Sequence, residues 1–93
     1  MKLSSEQREQ LRLSLLGFLE ANQTRFGLSA ALLRQMARSE GRSQLDAETV
    51  DDELEYLVDK NFIAPVDKKI SPENRAWRIT ADGRDFLANI TGE

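Results

Sequence analysis

Apolar residues recur at helical spacing near the start of the chain, where Leu11, Leu15, Phe18 and Leu19 fall at i, i+4, i+7 and i+8. That is one face of a helix with about 3.6 residues per turn, and it predicts a helix over residues 5–21. Ser4 and Gln7 have capping-box spacing at its start, Leu3 is placed to staple onto the first turns, and Asn22 can end it. The polar connection "NQTRFG" closes on Gly27, and Phe26 within it is expected to plug the core. The second helix reads "SAALLRQMARSE", capped by Ser29 and closed by Gly41, with Leu32, Leu33, Met36 and Ala37 as its buried side. After "RSQL", Asp46 is an N-cap for a third helix, "AETVDDELEYLVDK", whose buried stripe is Val50, Leu54, Leu57 and Val58.

Asn61 can close that helix, and the period then changes. "FIAPV" reads as a strand held to a sheet edge by Pro65, which cannot donate to a ladder. "DKKISPEN" is a polar hairpin loop, and "RAWRIT" returns as a strand with Trp77 and Ile79 on one side and Arg78 and Thr80 on the other. Thr80 caps a last helix, "ADGRDFLANI", in which Phe86, Leu87 and Ile90 are expected to pack inward. The result is a mainly α fold with a small β-hairpin, and residues 1–93 read as a single domain.

The order helix, helix, helix, strand, wing loop, strand, helix resembles the winged helix-turn-helix pattern. "TVDDELEYLVDKNFI" is similar to the third-helix phrase of such families, Leu-x-x-Leu-x-x-x-Gly-Leu/Ile, with Asn61 where glycine is usual. Both residue types tolerate the left-handed conformation. "WRITADGRDFL" is similar to the end of a wing, an Arg-Ile/Leu-Thr followed by x-x-Gly and a last helix. The resemblance runs from residue 8 to residue 90. A looser likeness, through "LRLSLLGFL" and "LLRQMARSEGR", is to small winged-helix proteins encoded among the structural and packaging genes of Mu-like phages. These are packing and capping motifs, so the resemblance implies a fold and, by analogy, a DNA-binding transcriptional regulator, but it assigns no site.

Composition narrows the function. The chain has no cysteine and no histidine. Thiolate chemistry, disulfides, histidine acid–base work and most transition-metal sites are therefore out of reach. No calcium-binding loop, Gly-rich phosphate cradle or Ser-x-x-Lys pair occurs. The expectation is a non-enzymatic protein that uses no cofactor or metal, with no small-molecule ligand evident. No apolar run approaches the roughly 18 residues of a membrane span, and "MKLSSEQREQ" lacks a signal-peptide core. A cytoplasmic protein without membrane contact is expected.

Charge complicates the regulator analogy. Residues 46–60 hold seven acids against Lys60, whereas residues 1–42 hold seven bases and four acids. With Val50 at zero and about 100° per residue, Glu48, Asp52, Glu55, Tyr56 and Asp59 point away from the core, with Thr49 at the edge. In winged-helix families that bind DNA, this is the face that enters the major groove. Here it offers carboxylates to a polyanion, and no Arg, Asn or Gln to read purine edges. Three readings stay open. The acids solvate a helix face; or they meet a basic protein partner or another copy of the chain; or DNA is held elsewhere, by Arg34, Arg38 and Arg42 around the second helix and Lys68, Lys69, Arg75 and Arg78 on the wing.

Two further features bear on partners. Leu13 falls across from the core stripe of the first helix, with Gly17 one turn on and Leu16 on the flank, a pattern that suits a helix-to-helix dimer contact through the first helix and the last. Tyr56 among carboxylates has the character of an interface anchor.

Overall fold

Residues 3–23, 26–66 and 75–91 are described in a computed structural model. They form α1 (Ser5–Ala21), β1 (Leu28–Ser29), α2 (Ala30–Ser39), α3 (Ala47–Asp59), β2 (Ile63–Val66), β3 (Ala76–Ile79) and α4 (Ala81–Thr91). The fold is thus mainly helical with a small antiparallel sheet. Among the described residues no helix is long and apolar enough to cross a membrane.

The helix starts follow their caps. Ser4 Oγ accepts from the Gln7 amide and Gln7 Oε1 from the Ser4 amide, at 3.1 and 2.9 Å. Ser29 Oγ accepts from the Leu32 amide at 3.2 Å. Each cap satisfies an amide that has no partner within the first helical turn.

α1 lies at the centre, packed by α2, α3, α4 and β3. Leu11, Leu15, Leu16 and Leu19 are all buried. A helix with neighbours on several sides has no free flank, so Leu16 belongs to the core and is not a dimer contact. Three other expectations are corrected. Leu32, at 42% exposure, stands outside the buried side of α2, which is formed by Leu33 and Ala37. Phe26 is 63% exposed and is not part of the core; Leu45, in the α2–α3 connection, is buried there instead. Ile90 is 49% exposed although it shares the face of Phe86 and Leu87, so the apolar side of α4 runs on past the elements that cover it.

The sheet has the order β1-β3-β2. β2 and β3 form the expected hairpin, with Ile63 opposite Ile79 and Pro65 opposite Trp77, and Pro65 sits on an edge strand. The loop between them, which contains Lys68 and Lys69, lies outside the described residues. β1 was not evident from the sequence: Leu28 pairs with Trp77 and Ser29 with Ala76. Entry into β1 depends on Gly27, at φ 69°, because a Cβ there would lie 2.4 Å from the Trp77 carbonyl oxygen.

The junction of α3, β2 and α4 explains two of the sequence phrases. Asn61 adopts φ 64° and turns the chain from α3 into β2. The Thr80 hydroxyl donates to the Asn61 carbonyl at 2.6 Å and accepts from the Gly83 amide at 3.1 Å. One side chain therefore caps α4 and ties it to the end of α3. Gly83 then lets α4 settle against the Phe62 carbonyl, and Phe86 stacks on Phe62 with ring centroids 4.5 Å apart.

Candidate functional site

The acidic character of α3 begins at its cap. The Asp46 carboxylate accepts from the Thr49 amide at 2.8 Å. Hydrogen bonding by Thr49, side chain first and then backbone, holds the Asp46 pKa at about 2, below its ordinary 3.8. A depressed carboxylate pKa contributes stability that is complete above the unfolded value and is lost as pH falls through the folded one. Denaturation midpoints should therefore drop between about pH 4 and pH 2, and Asp46→Asn should flatten that slope. Thermal melts of the two proteins across this range check the prediction.

Beyond the cap, Val50, Leu54 and Leu57 face the core. Glu48, Asp51, Asp52, Glu55 and Asp59 are exposed, and among the described residues none of the five takes part in an ion pair. Asp51 extends the acidic face beyond the residues chosen from helical phase. Glu48–Asp52, Asp51–Glu55 and Glu55–Asp59 are all i,i+4 pairs, and like charges at that spacing destabilise a helix by a few tenths of a kcal/mol each. The ridge is a line of carboxylates without an ion pair among the described residues.

The seventh acid of the segment behaves differently. Glu53 is buried, at 4% exposure. Its Oε2 accepts from Arg12 Nε at 2.5 Å, and Arg8 lies 4.0 Å from Oε1. The Arg12 guanidinium carbon also stands 3.7 Å from the centre of the Tyr56 ring. Tyr56 is therefore only 38% exposed, with one face covered by Arg12, and it borders the acidic ridge instead of standing free among its carboxylates. Helical phase shows where Glu53 falls on α3, but no local signal announces that an arginine of α1 comes to meet it.

The basic candidates are dispersed and partly committed. Arg38 donates through Nε and Nη2 to the Ser43 carbonyl, at 3.0 and 2.9 Å. Arg42 reaches Ser14 Oγ at 3.1 Å and Glu40 Oε1 at 3.3 Å. These two side chains hold the α2–α3 connection together. Arg34 is half-buried; Arg75 and Arg78 are exposed, Arg75 with its guanidinium 5.3 Å from the Trp77 ring. The structure thus gathers the acids into one ridge and leaves the bases on separate elements.

Comparison with family models, with curated proteins and with solved structures finds no match. Function has to be read from the surfaces themselves. Besides the ridge, the described residues contain an apolar groove of about 190 Å³ where α1, the end of α3, Phe62 and α4 meet. Leu13 lines this groove, half-buried against the core rather than facing water, while Gly17 has nothing within 4 Å of where a Cβ would stand. Of the three residues assigned to a dimer contact, Leu16 is excluded by burial; the other two remain at or near the surface.

Proposed function

We propose that this chain is a small, non-enzymatic regulatory or adaptor protein of winged-helix type, and that it works by presenting the acidic ridge of α3 to a basic protein partner. The observation that carries this reading is the set of five exposed carboxylates at i,i+3 and i,i+4 spacing on α3, none of them in an ion pair among the described residues. A ridge that repels itself lowers the stability of its own helix, and a basic partner removes that repulsion. The winged-helix assignment is supported by the element order, by the edge position of β2 and by the Thr80–Gly83 junction after β3. An aqueous, cytoplasmic setting accords with the composition.

Reversing Asp52, Glu55 and Asp59 to lysine should abolish capture of the partner from a host extract, in the presence of nuclease. The same variant removes the repulsions at 48–52 and 51–55 and leaves 55–59 like-charged, so it should be more stable than the parent by a few tenths of a kcal/mol for each of those two pairs, read by urea denaturation. Loss of binding together with a gain in stability separates a binding surface from a merely solvated one. The DNA-binding regulator remains the competing reading, through exposed Arg75 and Arg78 on the wing with Lys68 and Lys69 in its loop. It requires duplex DNA to be retained at about 50 mM salt, with affinity falling steeply as salt rises. Retention that is lost in the Lys68→Glu/Lys69→Glu variant would displace the adaptor reading.

A further inference from the structure

The groove between α1, α3 and α4 is a surface distinct from the acidic ridge. Its floor is apolar, formed chiefly by Leu13, Phe62 and Phe86. Its rim carries charges of both signs, Glu9 from α1 and Lys60 from the end of α3. Among the described residues neither Glu9 nor Lys60 takes part in an ion pair, and the Lys60 ammonium stands 5.7 Å from the centre of the Tyr56 ring. One helical turn beyond Phe86, on the same face of α4, stands the half-exposed Ile90. A single face therefore carries an apolar hole, an apolar knob beside it, and one unpaired charge of each sign.

We propose that this face is a two-fold self-association surface, on which Ile90 of each copy enters the groove of the other and Lys60 of each copy pairs with Glu9 of the other. A two-fold interface joins a patch to itself, so the patch must be complementary to its own image. A hole with its own knob, and an acid with its own base, meet that requirement. A foreign helix would find the floor equally apolar, but it would have no need of Ile90 next to the groove or of opposite charges on its rim.

The test is the mass of the protein in solution, by sedimentation equilibrium over micromolar to sub-millimolar concentration. The parent chain should show a concentration-dependent monomer–dimer equilibrium. Ile90→Glu, at an exposed position that leaves the core untouched, should raise the dissociation constant at least about tenfold. Lys60→Glu and Glu9→Lys should each weaken the dimer by bringing like charges together. An equimolar mixture of these two variants should restore it as a heterodimer, because both cross-pairs become attractive again. A parent that stays monomeric throughout overturns the proposal, as does a dimer indifferent to Ile90→Glu. Failure of the mixture to reassociate overturns the pairing of Lys60 with Glu9 and with it the two-fold arrangement. Circular dichroism melts that match the parent confirm that each variant is folded.

Discussion

Gly83→Ala should lower the melting temperature by at least about 10 °C. A Cβ at position 83 would stand 2.1 Å from the Phe62 carbonyl oxygen and 2.8 Å from a side-chain carbon of Ile79. The oxygen belongs to the backbone and already accepts the Thr80 amide at 3.0 Å, so it cannot swing aside. Relief requires α4 to lift from the Phe62 turn, which would strain both Thr80 hydroxyl bonds and part Phe86 from Phe62. Overpacking of this kind costs about 1–3 kcal/mol and occasionally more, and the backbone contact places it at the upper end. In a domain of this size each kcal/mol moves the midpoint by about 4–8 °C. Thermal melts by circular dichroism measure the effect; a shift of less than about 3 °C would mean that the α4 contact is loose.

Arg12→Ala should cost about 2–3 kcal/mol, most of it from what it leaves behind. The Glu53 carboxylate is buried, and without Arg12 its nearest cation is Arg8, at 4.0 Å on a half-exposed side chain. Removing one partner of a buried ion pair is destabilising by about 3–5 kcal/mol, because the other charge stays in a poorly solvating site. The residual Arg8 contact reduces that figure. Replacing the pair by apolar side chains, as in Arg12→Met with Glu53→Leu, should be nearly neutral, since that route removes both charges together. Urea denaturation of Arg12→Met, of Glu53→Leu and of the two combined forms a double-mutant cycle, with Arg12→Ala measured beside it. If the double variant proves as unstable as Arg12→Ala, the contribution of Arg12 lies in its packing on Tyr56 and not in its charge.

What could be read from the sequence was what neighbouring residues determine among themselves. The caps at Ser4, Ser29, Asp46 and Thr80, the left-handed Asn61 and the edge position of Pro65 all rest on local chemistry, and each appears where expected. The features that escaped notice depend on residues far apart in the chain. β1 is two residues long, too short to carry a period, and its reality consists in pairing with β3 from the other half of the chain. Glu53 is buried because Arg12 reaches it from 41 positions away. Leu16 has the phase of a flank residue, yet it is buried because α1 is surrounded. Leu45 takes the inward place expected of Phe26: hydrophobicity alone does not tell which of two connections folds inward. For the candidate site, the exposure of Glu48, Asp52, Glu55 and Asp59 followed from helical phase, whereas the covering of Tyr56 by Arg12 did not.

The sheet order also fixes when the sheet can form as the chain is made. β1 and β2 do not pair with each other; both wait for β3. Until residues 76–79 have been synthesised, Leu28 and Ile63 have no ladder to join, and the residues of the three-helix segment are already present without it. Everything up to β2 is therefore made before its strands have a partner, and β3 then covers the inner edge of each. A released fragment ending just before Ala76 should be more exposed to proteases and to unwanted strand pairing than one that runs through Ile79.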